Sequence, residues 1–329
     1  VILGHDDPLR ATLTGLLDRL RRHQAVPTLP DDVRLDGRTA LVTGASSGLG
    51  LAVATELARR GARLLLPLRG GLGAVPGAIA RDTGNPRVEG LPVDLADLDR
   101  VGALADTLRG RGERLDLVVL NAGLMPRRAR PSAQGFEIMV AVHFLANRLL
   151  LERCLRDGVL VPARAPGDRV PRVVCVASDA HRSAPRVDWA RLGAMVDYGL
   201  RRGMAQYAHS KLLVMTLAQA LAARLRDDGR PTVAVHAVCP GAVASRIGRE
   251  APALVRPLLD AVMRAGFAPP AKAAVPVLTL AAAPHLEGRT GLYYHLLREA
   301  EPAALARDPA EQRAMWEASA ALLAPWLRT

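Results

Sequence analysis

Aromatic residues make up only 3% of this 329-residue chain, so its core must be assembled from alanine, leucine and valine, which the 50% hydrophobic fraction supplies. Lysine is nearly missing as well: Lys211 and Lys272 are the only two, and every other basic side chain apart from histidine is arginine. Those arginines lift the formal net charge to +12. They are scattered along the chain instead of gathered into a stripe, which favours a solvated basic surface over a nucleic-acid interface, and no nucleic-acid partner is expected. Cysteine is scarce. Cys154, Cys175 and Cys239 are odd in number and show neither C-x-x-C nor metal-ligand spacing, so no disulfide framework and no metal site is expected, and a reduced cytoplasmic compartment is the simplest home. Long apolar runs are also lacking. None approaches the roughly 18 residues that cross a bilayer, and no charged-then-apolar leader opens the chain, so no transmembrane segment is expected. Neither an internal repeat nor a low-complexity segment interrupts the sequence.

Residues 39–50, by contrast, carry a strong local signal: Thr-Ala-Leu-Val-Thr-Gly-Ala-Ser-Ser-Gly-Leu-Gly, an apolar strand running into a glycine-punctuated turn and then a helix-periodic segment. Leu49, Val53 and Leu57 recur on one helix face, and Arg59, Arg60 and Gly61 supply a basic last turn and a glycine stop. Gly44, Gly48 and Gly50 place no side chain between the backbone and whatever sits on the turn, so a pyrophosphate can approach amides at the positive end of a helix dipole. The spacing is G-x-x-x-G-x-G and not the G-x-G-x-x-G dinucleotide fingerprint, and taken alone it reads equally well as a tight loop. A second constellation lies far downstream. Tyr207 and Lys211 stand four residues apart at the start of the apolar run 212–225, which puts both side chains on one helix face.

Together with Ser178, this pair resembles the catalytic set of the short-chain dehydrogenase/reductase family, whose cofactor turn is similar to Thr43-Gly44-Ala45-Ser46-Ser47-Gly48-Leu49-Gly50. The resemblance runs from about Asp36 to about Leu323. Gly135-Phe136-Glu137 and Ser178-Asp179-Ala180-His181 are similar to the wording of its branch of retinol-dehydrogenase-like and WW-domain-oxidoreductase-like proteins. It implies a doubly wound, mostly parallel Rossmann-type α/β sheet. Residues 31–329 would form one dinucleotide-binding catalytic domain behind an N-terminal helical extension and linker, 1–30. Strands are expected at 63–68, 88–93, 115–120, 170–177 and 233–238, with a long helix over 134–156 and a basic connection over 182–205. Alternating strands and helices require right-handed crossovers, so the strand ends share one edge.

The resemblance also implies a cofactor site. Gly44, Ser46, Ser47, Gly48, Leu49 and Gly50 would form the phosphate turn, with Asp94 and Leu95 at the adenine ring. Asn121, Ala122 and Gly123 would steady the sheet and line the ribose. Pro240, Gly241 and Val243 would lie by the nicotinamide, and Ser245 stands where a threonine usually holds the carboxamide. Arg69, at the end of the second strand, pairs with the extra phosphate of NADP if it is not simply one more surface arginine, so NADP(H) is favoured over NAD(H). Ser47 stands where some NADP-dependent relatives carry a second basic residue. His143 replaces the asparagine that organises a proton-relay water in most relatives; it is read either as a substitute relay or as a histidine that merely packs.

An ammonium about 4 Å from a phenol favours the phenolate by on the order of 4 kcal/mol at an effective dielectric of 20, about three pKa units. Lys211 is therefore expected to bring Tyr207 toward working pH. Tyr207 would donate its proton to a carbonyl oxygen, Ser178 would hold that oxygen, and Lys211 would also grip the nicotinamide ribose. The resemblance makes 246–270 the variable region that closes over substrate, and apolar residues such as Leu254, Leu258 and Phe267 would make it a greasy lid, which suits a hydrophobic small-molecule substrate. In residues 1–30, Leu9, Leu13, Leu16, Leu17 and Leu20 mark an apolar helix face, for packing on the chain's own domain in preference to a dimer contact or a lipid surface; a homo-oligomer stays open. The expected activity is NADP-dependent carbonyl reduction or alcohol oxidation. The alternatives are a cofactor-binding scaffold or sensor without catalysis, and a non-redox cyclase or rearrangement enzyme on the same fold.

Overall fold

Short apolar strands that are buried on both faces need helices above and below them, and that is the arrangement in the computed structural model, which describes residues 26–165, 167–241, 243 and 268–327. In chain order the elements are β1 (Thr39–Val42), α1 (Gly48–Arg59), β2 (Arg63–Leu68), α2 (Ala74–Thr83), β3 (Val88–Pro92), α3 (Leu98–Gly110), β4 (Leu117–Leu120) and α4 (138–156). They continue with β5 (Arg172–Val176), α5 (Leu200–Arg224), β6 (Ala234–Cys239), α6 (Pro270–Ala282), β7 (Tyr293–His295), β8 (Arg298–Ala300) and α7 (Pro309–Leu327). Eight strands form one sheet in the order β8-β7-β6-β5-β4-β1-β2-β3, parallel throughout except for the antiparallel pair β7 and β8. The order reverses between β1 and β4. In open α/β sheets of this kind ligands bind outside the carboxyl ends of the strands at that point.

Side-chain alternation divides the core into two layers. Val173, Cys175, Val235 and Ala237 face one cluster with α3, α4 and α5, while Val174, Val176 and Val238 face another with α1 and α6. Leucine, valine and alanine dominate both clusters, as the scarcity of aromatics requires. Residues 26–30, expected as a linker, are tied down: the Val26 amide donates to Leu297 O at 2.9 Å and the Leu29 amide to Thr279 Oγ1 at 3.2 Å. The expected helix within residues 1–25 lies outside the described residues, as do Ser245 and most of the expected lid. Among the described residues no helix is long and apolar enough to cross a membrane.

Two expectations change. The helix over 134–156 begins only at Ile138, because the Glu137 carboxylate accepts from the amides of Met139 and Val140 and so serves as its cap; residues 141–145 then form a π-helical turn. The connection over 182–205 ends earlier than expected, since α5 already begins at Leu200, about three turns before its apolar run. The solvated-arginine reading is also too coarse. Arg148 and Arg153, each 1% exposed, anchor α7: Arg148 donates to Trp316 O at 2.8 Å and Arg153 to Trp326 O at 3.2 Å, while Arg153 also pairs with Asp106 and Asp157.

On β6, His236 is fully buried on the α1/α6 side and neither ring nitrogen has a hydrogen-bond partner; burial, with Arg172 and Arg289 nearby, pushes its pKa down to about 3. A histidine whose folded pKa is depressed contributes stability above its unfolded value near 6.5 that is lost as pH falls toward 3. For this one residue the loss is on the order of 5 kcal/mol. His236→Leu should therefore raise the melting temperature at pH 4 by several degrees more than at pH 8. An equal shift at both pH values would contradict the assignment.

Candidate active site

The glycine turn between β1 and α1 is held from behind. Gly44 has φ 68°, a left-handed conformation that favours glycine, and a Cβ on Gly50 would collide with the Asn121 amide and the Gly44 carbonyl. Asn121 Nδ2 donates to Thr43 O at 3.0 Å and Gly44 O at 3.3 Å, and Thr43 Oγ1 accepts from the amides of Asn121 and Ala122, both at 3.0 Å. The ends of β1 and β4 are thereby locked together across the switch point. Ser47 is the N-cap of α1, but its side chain makes no capping bond, and the first turn carries no carboxylate. The helix N-terminus and the exposed Ser46 are therefore left open to an anion, which fits a diphosphate. Leu49 is buried beneath the turn.

Arg69 follows β2 at the same edge, exposed and without an ion pair or hydrogen bond among the described residues. Asp94 uses its carboxylate to accept from the Ala96 amide at 3.0 Å, and Leu95 beside it is buried. Beyond β6, Pro240 is buried and Gly241 has φ 78°, with Leu296 packed where a Cβ would stand. Val243 bridges to Ala268.

Ser178, Tyr207 and Lys211 converge. Ser178 caps the short helical turn after β5, its hydroxyl accepting from the Ala180 amide at 3.3 Å, and it lies close enough to the Tyr207 phenol to lower its pKa. Lys211 is 4% exposed, donates from Nζ to Val176 O at 2.9 Å, and lies 5.6 Å from the Tyr207 ring centroid. The electrostatics run against the expectation for this pair. Burial, opposed by the nearby Ser178 hydroxyl, pushes Tyr207 up to about 12, and burial, opposed by Cys239 and Cys175, pushes Lys211 down to about 8. Desolvation disfavours both charged forms, and the ammonium is held by a backbone carbonyl instead of touching the phenol oxygen.

His143 sits in the π-helical turn of α4, with its ring edge-on to Tyr207 at 6.0 Å. Its Nε2 accepts from the Leu124 amide at 2.9 Å; its Nδ1 is 2.9 Å from Ser210 Oγ, which itself donates to Tyr207 O at 2.8 Å. The proton must therefore reside on Nδ1, and both ring nitrogens are committed. Burial and the Lys211 charge hold the imidazole well below its ordinary pKa. Gly123 approaches the same ring closely.

Three supporting residues were not assigned roles from sequence. Glu137, fully buried, accepts from Tyr198 OH at 2.7 Å and Gln206 Nε2 at 3.0 Å as well as from its own helix, fixing the turn of α5 that presents Tyr207. His181 accepts at Nε2 from the Ala303 amide at 3.0 Å and donates from Nδ1 to Ser178 O at 2.7 Å, which pins the serine. Thr43 is the third. Only the word Ser-Asp-Ala-His gave a hint of His181; the partners of Glu137 lie 61 and 69 residues away.

A parallel sheet with this strand order, a glycine turn opening a helix at the switch point, and a Ser/Tyr/Lys cluster at the same edge together define a dinucleotide-dependent oxidoreductase fold. Residues 38–183 match the family described as short chain dehydrogenase. Retinol dehydrogenase 13 of Mus musculus is 32% identical, covering 95% of this chain and 91% of its own. Polyprenol dehydrogenase of Mus musculus is 35% identical over 94% and 89% of the two chains. Among solved structures, a protein from Beutenbergia cavernae described as an NAD(P)-dependent gluconate 5-dehydrogenase, with NADP bound at low occupancy, superposes with a TM-score of 0.57 at 28% identity, covering 80% of this chain and 96% of that one. The chain belongs to the short-chain dehydrogenase/reductase family, in its retinol-dehydrogenase-like branch, a family of oxidoreductases that bind a nicotinamide cofactor and act on small molecules.

Proposed function

We propose that the protein is an NADP-dependent oxidoreductase that reduces a carbonyl, or oxidises the matching alcohol, on a hydrophobic small molecule. The observation that carries the reading is the convergence of Ser178, Tyr207 and Lys211 beside the glycine turn. A nicotinamide dinucleotide bound along that edge would supply or accept the hydride. Tyr207, protonated at neutral pH, gives its proton to the substrate oxygen; Ser178 hydrogen-bonds the same oxygen as negative charge develops. Lys211 would offset the charge left on Tyr207 and hold the ribose of a bound dinucleotide. Of the two roles open to His143, a positioning post fits better than a relay, because neither nitrogen is free to pass a proton. The names of the two mouse relatives refer to lipid alcohols, which supports a hydrophobic substrate. The buried, unpaired thiols of Cys154, Cys175 and Cys239 accord with a cytoplasmic setting.

Arg69 supports NADP over NAD because an unpaired guanidinium at the end of β2 suits a ribose phosphate. Arg69→Ala should weaken NADPH binding at least tenfold and leave NADH binding within twofold in a fluorescence titration. Equal effects on both would remove the basis for the preference.

The pH profile follows from Lys211. Its pKa is depressed to about 8, so the ammonium is present below that value and lost as pH rises through it, while Tyr207, pushed up to about 12, keeps its proton. For reduction, kcat/KM should fall about tenfold per unit above pH 8. A profile flat to pH 10 would show that the lysine charge is not needed.

A further inference from the structure

Well away from the carboxyl edge of the sheet, α4, α5 and α7 line a partly open cavity of about 200 Å³. Its walls are mainly leucines of α4 and α5, Leu155 and Leu221 among them, closed by the indole of Trp316 on α7. Leu221 lies ten residues beyond Lys211 on one helix, about 15 Å along its axis, so this is not the substrate cleft.

The charges at this cavity do not balance. Arg148, Arg224 and Glu152 complete the lining, two cations against one carboxylate. Both guanidinium groups lie over the Trp316 ring, at 4.1 Å for Arg148 and 3.9 Å for Arg224. Arg148 spends Nη1 on Trp316 O and Ser319 and Nη2 on Glu152, yet its buried Nε has no acceptor. Arg224 is exposed and, among the described residues, has neither an ion pair nor a hydrogen bond; the indole alone fixes it in place. A guanidinium without a counter-charge favours an anion beside it, and a hollow walled by leucine holds water poorly. One type of ligand meets both conditions: an anionic head on an apolar tail.

We propose that this cavity is a second binding site, for a carboxylate amphiphile whose head pairs with Arg224 and whose aliphatic tail of about six to ten carbons fills the space between the leucines and Trp316. A cavity of about 150 Å³ accepts benzene, so the volume admits a tail of that length and no more than part of a larger lipid. Neither a neutral alcohol nor a short polar anion satisfies the site fully.

The test is a titration of the full chain with 8-bromooctanoate, whose bromine quenches nearby tryptophan, alongside calorimetry with octanoate, 1-octanol and acetate. Binding should saturate at one octanoate per chain, with 1-octanol and acetate each at least tenfold weaker. Arg224→Gln should weaken octanoate about tenfold, and Leu155→Trp, which fills the cavity from a half-buried position, should abolish binding; the melting temperature of each variant confirms that it is folded. Trp316→Phe should remove the quenching. Quenching that survives Trp316→Phe, affinity unchanged in both Arg224→Gln and Leu155→Trp, or octanol binding as well as octanoate would each overturn the proposal. So would sedimentation showing that this face is covered by a second copy of the chain.

Discussion

Tyr207→Phe should lower kcat for carbonyl reduction by about three orders of magnitude while leaving the NADPH dissociation constant within about twofold. The phenol carries its proton at neutral pH and lies beside Ser178, where a substrate oxygen would be received. Removing its oxygen deletes the proton donor without disturbing the ring that packs edge-on to His143. Proton transfer from a positioned side chain contributes roughly 10²–10⁴ in rate, which sets the size of the expected loss. Ser178→Ala should cost less, about a hundredfold, since it removes one hydrogen bond to the developing charge. A Tyr207→Phe enzyme within a few fold of the parent would mean that another group supplies the proton.

The second large effect concerns stability. Glu137→Ala should reduce the free energy of unfolding by about 4 kcal/mol, because four donors lose a common acceptor inside the protein: the amides of Met139 and Val140, the Tyr198 hydroxyl and the Gln206 amide. A cavity would be added to those unmet bonds. Glu137→Gln keeps the volume and one acceptor oxygen, so it should recover about half of the loss. Urea denaturation reads this as a shift of midpoint at constant slope. A loss below about 1 kcal/mol for Glu137→Ala would show that solvent or a neighbouring group replaces the carboxylate easily.

These two residues mark where sequence reading succeeds and where it stops. Tyr207 and Lys211 are legible because helix periodicity fixes their relation: four residues apart, one face, whatever surrounds them. The β1 turn is legible for the same reason, since Gly44, Gly48 and Gly50 declare a backbone need that is local. The strands β2 and β6 fall within a residue or two of their expected bounds because buried parallel strands are continuous apolar runs.

What escapes is set by tertiary surroundings. The direction of the Tyr207 and Lys211 shifts depends on how much water each group loses, and a spacing of four says nothing about that; the pair expected to ionise the phenol is instead driven toward neutrality on both sides. Glu137 shows in the sequence only as the end of the word Gly135-Phe136-Glu137, with no sign that Tyr198 and Gln206 will close over its carboxylate. Arg148 and Arg153 look like two more solvated arginines until α7 lies down on them. His236, in a strand that alternates apolar residues with a histidine, gives no hint that both nitrogens will be buried without partners. The capped start of α4 and its π-helical turn likewise depend on contacts across the fold and not on local propensity.

The decisive experiment follows the hydrogen itself. The full chain would be given NADPH deuterated at the transferable position of the nicotinamide together with a panel of medium-chain aldehydes and hydrophobic ketones, and the products analysed by mass spectrometry. The expected result is an alcohol carrying one deuterium on the former carbonyl carbon, formed in a one-to-one ratio with oxidised cofactor and reduced about a thousandfold in rate by Tyr207→Phe. Products formed without deuterium, or no cofactor oxidation with any compound despite tight NADPH binding, would contradict the assignment of Ser178, Tyr207 and Lys211 to carbonyl reduction.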